Sequence, residues 1–121
     1  MQFISVVSVP VGDQDRAKSF YLDKLGFHLI AESTFGDGLR WIQVGIPGAE
    51  TSLTLVTWFD EMAPGSLRGL VIDCDDLEQE HRTLTERGVV FTSPPSRQPG
   101  GVFAVLSDPD GNRISLRQAG S

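Results

Sequence analysis

Side chains that commonly carry chemistry are sparse here: 121 residues contain two histidines and one cysteine. Glu32 follows His28 by four residues. On a strand that spacing puts both on one face but about 13 Å apart at ~3.3 Å per residue, too far to share an ion. Both read as surface strand residues. His81 stands among Glu78, Glu80 and Arg82, the pattern of a solvated helix face on which water or a carboxylate satisfies the imidazole. Cys74, in the run Ile72–Asp75, reads as a small buried hydrophobe, because no histidine or basic residue adjoins it to lower its pKa. No nucleophile elbow, phosphate loop or Ser-His-Asp arrangement is present. Gly100-Gly101 precedes a strand rather than opening a helix, so it is no phosphate cradle. Asp73 and Glu32 are the carboxylates best suited to act as bases, and each is exposed by default. No catalytic residue is assigned.

The stretch VLSDPDGNRISL (105–116) places a turn between two strand-like runs. Asp108-Pro109-Asp110-Gly111 suits a type I turn, with Pro109 pre-setting φ and Gly111 tolerating a positive one. Ser115 lies between Ile114 and Leu116 and points away from the face that those two bury.

Composition narrows the function classes. At 121 residues the chain is expected to form one domain, 1–121, burying roughly two-thirds of its unfolded surface. Sixteen acidic and ten basic residues give a net charge of −6. With no basic run or stripe, nucleic acid and anionic membrane are not expected partners. The apolar stretches fall short of the ~20 residues that span a bilayer, and no signal-peptide pattern opens the chain. A single cysteine forms no internal disulfide and fits a reducing cytoplasm.

Elements that could position a site are written twice. SVVSVPVGDQDRAKSFYLDKLGF (5–27) and GLVIDCDDLEQEHRTLTERGVVF (69–91) share one plan: apolar strand, Asp, helix, Gly, apolar strand. Asp13 and Asp76 are expected N-caps, and Asp76 with Gln79 suggests a capping box. Gly26 and Gly88 stand where helix-terminating glycines belong. Ala17, Phe20, Tyr21 and Leu25 form one helix face, and Leu77, His81 and Leu84 the other. RWIQVGIPGAETSLTLV (40–56) then corresponds to VFAVLSDPDGNRISLRQ (102–118), which sets Thr54 opposite Ser115 and Val6 opposite Gly69. Two β-α-β-β-β modules, approximately 3–57 and 67–118, are expected, joined by WFDEMAPGSLRG (58–69) with its Pro64 and Gly65. Neither is large enough to bury a good core alone.

The run VGDQDRAKSFYLDKLGF together with DPDGNRISL resembles the vicinal oxygen chelate superfamily, which includes glyoxalase I, bleomycin-resistance proteins and extradiol dioxygenases. The resemblance implies an α+β fold in which the two modules form an open eight-stranded barrel around a cavity, and a homodimer in short members. In metal-dependent members it implies four ligands, His, Glu or Gln, on the first and last strands of each module. Those positions fall at Val6, Thr54, Gly69 and Ser115. Two hydroxyls, a valine and a glycine are poor partners for Zn²⁺, Ni²⁺ or Fe²⁺. No metal and no other cofactor is expected.

Strand parity assigns Ile42, Val44, Leu53, Leu55, Leu70, Ile72, Ile114 and Leu116 to the face against the helices. Val6, Ser8, Trp41, Gln43, Ser52, Thr54, Gly69, Val71 and Ser115 then face the cavity, with Asp73 towards its rim. One large aromatic among hydroxyls and an amide suits an organic ligand held by stacking and a few hydrogen bonds. Trp58 caps this cavity or anchors its loop, and Arg97 and Gln98, in the loop SPPSRQPGG, reach over the mouth or stay solvated. Three readings follow. The first is a non-catalytic cytoplasmic protein that binds a small aromatic or conjugated molecule without metal. The second is an enzyme of the same superfamily, a lyase, isomerase or dioxygenase. The third is a structural module with a filled cavity and a protein partner.

Overall fold

Each half of the chain folds as strand, helix and three further strands, the plan that the internal repeat predicts. The computed structural model describes residues 1–120. The first half comprises β1 (Val6–Pro10), α1 (Gln14–Ser19), β2 (His28–Phe35), β3 (Leu39–Gly45) and β4 (Ser52–Val56), with α1 continuing through a π-helical turn, Phe20–Lys24. The second comprises β5 (Leu70–Asp73), α2 (Leu77–Glu86), β6 (Val90–Gln98), β7 (Gly101–Ser107) and β8 (Arg113–Ala119). The strands lie in two four-stranded sheets, β1-β4-β3-β2 and β5-β8-β7-β6, each with its first and last strands parallel and the rest antiparallel. Among the described residues no strand of one sheet pairs with the other, so the α+β architecture is open and no ring of eight strands closes.

Local chemistry sets the helix ends. Asp13 accepts from the Arg16 amide and Asp76 from the Gln79 amide, each satisfying a first-turn N–H that has no helical partner. The expected capping box is half formed. Gln79 turns its side chain along α2 to Thr83 and Arg82 instead of back to the cap. Gly26 and Gly88 end the helical segments at φ 79° and 90°, where a Cβ would crowd the backbone.

One face of each sheet packs on the helices, and these two faces share a single apolar core. Val9, Ile42, Val44 and Leu55 of the first module meet Leu77, Leu84, Ala104, Leu106 and Ile114 of the second, with Ala17 and Tyr21 between them. His81 departs from its expected solvation: its ring packs edge-on against Phe91, with centroids 4.5 Å apart.

The Asp-Pro-Asp-Gly-Asn turn locks the two modules together. Asp108 and Asn112 are buried. The Asp108 carboxylate accepts from the amides of Asp110 and Asn112, from Asn112 Nδ2 and from the Tyr21 hydroxyl 87 residues away. Asn112 also donates to the Pro10 carbonyl and accepts from the Leu67 amide, while Asp110 accepts from the Gly12 amide and Arg16. The most specific motif of the sequence thus serves assembly, and of its buried side-chain polar atoms only Asp110 Oδ2 lacks a partner among the described residues.

Two expectations change. The segment SPPSRQ is strand rather than loop: Arg97 and Gln98 pair with Val102 and Gly101 along β6. Pro94 and Pro95 are tolerated because β6 is an edge strand whose register shifts between Ser93 and Ser96. Gly69 precedes β5 rather than belonging to it, since its φ of 87° is incompatible with an extended strand.

Candidate ligand-binding site

The shared core leaves each sheet with a second face turned away from the helices. On the first sheet, register places Val6 beside Ser52 and Ser8 beside Thr54, with Thr54 opposite Gln43 and Trp41 opposite Ser33. Val6, Ser8, Trp41, Gln43, Ser52 and Thr54 therefore share one face of the sheet. Their polar groups form a relay: Trp41 Nε1 donates to Gln43 Oε1 at 3.1 Å, Gln43 Nε2 to Ser52 Oγ at 2.7 Å, and Ser52 Oγ to the Ser5 carbonyl at 3.3 Å. Ser8 and Thr54 share a hydrogen bond of 3.3 Å. Ser52 and Thr54 are buried and their hydroxyls are partnered within the protein. Gln43 consequently orients the Trp41 indole.

Trp41 joins an aromatic wall. Its ring lies 6.5 Å from that of Trp58 at 24° between planes, and Phe35 meets Trp58 edge-on at 5.1 Å. Ser33, Phe35, Trp41 and Trp58 line an open recess of about 530 Å³. Sequence parity identifies Trp41. Phe35 and Ser33 escape it because they lie on β2, whose register slips by one residue between Leu29 and Ala31, a shift that reverses side-chain facing.

On the second sheet, Val71, Asp73, Ser115 and Arg117 share the face away from the helices, with Val71 opposite Ser115 and Asp73 opposite Arg117. Gly69 ends just before this face. Arg117 grips Asp73 through Nε and Nη2 at 2.7 and 3.0 Å, and this bond holds the Asp73 carboxyl below its ordinary range. Glu32, which shares the Ile42 side of its sheet, is likewise lowered by hydrogen bonds from Lys18 and Arg40. A carboxylate stabilised in its charged form is a weak base, so neither is poised for proton abstraction. Burial and then the charges of Glu80, Asp73 and Asp75 push the Cys74 thiol up to about 11, which leaves it inert at neutral pH.

The modules also meet in a cleft of about 340 Å³, where Phe27, Ile46, Ser52 and Leu53 face Leu70, Val71, Ile72 and Asp73. It brings together Ser52 and Val71 of the expected cavity set. Trp41 and Trp58 line the separate recess.

The model of the Glyoxalase/Bleomycin resistance protein/Dioxygenase superfamily matches residues 3–116. The chain belongs to that superfamily. It is 33% identical to the uncharacterized protein YetH of Bacillus subtilis (strain 168) across 95% of this chain and 97% of that one. TnmS3, an antibiotic binding protein from Streptomyces sp. CB03234, superposes with a TM-score of 0.94 at 47% identity, covering 99% and 98% of the two chains. A glyoxalase/bleomycin resistance protein from the same organism gives 0.86 at 48% identity, covering 96% and 100%.

The four positions at which the resemblance implies metal ligands are a poor donor set. Val6 and Gly69 offer no ligand atom, the Thr54 hydroxyl is bonded to Ser8, and Ser115 lies between Val71 and Val105. Among the described residues, no three His, Cys, Asp or Glu side chains gather as a metal site. The residues present do not fit a transition metal.

Proposed function

We propose that this protein binds a small aromatic or conjugated organic molecule, without a metal, in a cavity bounded by the outward sheet faces. The observation that carries this reading is the Trp41–Trp58–Phe35 wall, with Trp41 anchored through Gln43. Two rings 6.5 Å apart and nearly parallel present broad apolar faces that a flat ligand can stack on. The likeness to an antibiotic binding protein supports a binding role over a catalytic one. Because the helix faces of both sheets are used in one core, the outward faces are left for a second copy, and a cytoplasmic homodimer completes the cavity.

The test is a titration of purified protein with flat aromatic compounds, followed by tryptophan fluorescence, alongside elemental analysis. Saturable quenching by a planar ligand, with less than one Zn, Ni, Mn or Fe per chain after dialysis, is expected. A stoichiometric metal that resists dialysis, or no response to any planar probe, overturns the reading.

A further inference from the structure

The outward face of the second sheet carries two arginines and an aspartate among the apolar Val71, Phe103 and Val105. Along β8, residues 113, 115 and 117 share this face, since Ile114 and Leu116 are buried in the core. Ser107 stands opposite Arg113, Val105 opposite Ser115 and Phe103 opposite Arg117. Two of the three β8 positions are thus arginines. Arg117 is neutralised by Asp73 through its fork, and Arg113 is not. Its Nε is buried and donates to no acceptor among the described residues, and no carboxylate forms an ion pair with it there.

A buried N–H of a guanidinium without an acceptor is costly, and native structures provide a partner for nearly all such groups. The Arg113 amide donates to the Leu67 carbonyl. The chain is acidic overall, yet this face carries a net positive charge from two arginines against one aspartate.

We infer that Arg113, with Ser115 beside it, forms a subsite for an anionic oxygen of the ligand, so that the cavity takes flat aromatic acids such as carboxylates and phenolates. The inference rests on the aromatic-binding reading above and adds the charge of the ligand to it. A guanidinium presents several N–H donors in a fixed plane, which suits carboxylate geometry. Ser115 supplies a hydroxyl at the next position on the same face.

Three probes of one shape separate the possibilities: naphthalene-2-carboxylate, the neutral naphthalene-2-carboxamide and naphthalen-2-ylmethylammonium. Fluorescence titration should rank them in that order, with the carboxylate bound about tenfold more tightly than the amide at low salt and less so at high salt. Arg113→Gln should erase that advantage, lowering carboxylate affinity far more than carboxamide affinity. Trp41→Ala should weaken all three. Should Arg113→Gln fail to fold, Arg113→Lys keeps the charge but loses the fork, and an intermediate advantage is expected. Equal binding of carboxylate and ammonium, or an Arg113→Gln protein that keeps the carboxylate preference, overturns the subsite while the aromatic reading stands. Loss of the dimer by light scattering with unchanged carboxylate affinity also overturns it and assigns Arg113 to the subunit contact. No binding of any probe removes both readings.

Discussion

Three residues carry most of what can be measured one side chain at a time. Trp41 is partly exposed on a sheet face, held by Gln43 and near Trp58. Trp41→Ala should therefore cost less than the ~3 kcal/mol of a core truncation. It should remove stacking worth on the order of 1 kcal/mol, so ligand affinity falls several-fold or more. Thermal stability and fluorescence titration of the same variant separate the two effects. Tyr21 is the sole tyrosine and donates its hydroxyl to the Asp108 carboxylate. Burial, then the Asp108 charge, raises its pKa far above the ordinary value. The neutral phenol is favoured in the folded chain, so its stabilisation is whole below the unfolded pKa of ~10 and is lost as pH rises beyond it. Tyrosinate absorbance should stay absent above pH ~10 until the protein unfolds, and appear near that pH in denaturant. Asp108→Ala, which strips four donors of their acceptor, should cost about 3 kcal/mol or more in chemical denaturation.

At the scale of elements, caps and helix stops follow short-range rules and were readable from Asp13, Asp76, Gly26 and Gly88. The connector is decided by contact. Gly65 has φ 84°, and a Cβ there would run into the Asp110 carbonyl, whereas Gly36, at φ 55°, has nothing nearby. Gly36→Ala should cost about 1–2 kcal/mol from backbone conformation alone. Gly65→Ala should cost clearly more, because the turn from Asp108 to Asn112 must shift with it. Comparing denaturation midpoints of the two variants checks this. The prolines of SPPSRQ suggest a loop, yet β6 continues through them, because an edge strand with a bulge does not need every amide.

At the scale of the molecule, two sheets share one core through their helix faces, and Phe35, Val71, and Phe3 and Ile4 before β1 are exposed. Exposed apolar groups on this scale favour association. Light scattering at micromolar concentration should give twice the 13.2 kDa of one chain. A monomer throughout that range contradicts the dimeric cavity.

The sequence by itself determined the two modules, their helix ends and, by alternation, which residues of β1, β3, β4, β5 and β8 share a face. Each depends on residue type and on periods of 2 or 3.6, which are local. Only the tertiary structure decided that Asp108 and Asn112 bind the halves together and that Gln43 is engaged by Trp41 and Ser52. It likewise joined Phe35 and Trp58 to the aromatic wall and left Arg113 Nε without a partner among the described residues. These are contacts between positions from 2 to 102 residues apart, and alternation along one strand carries no information about what stands across from it.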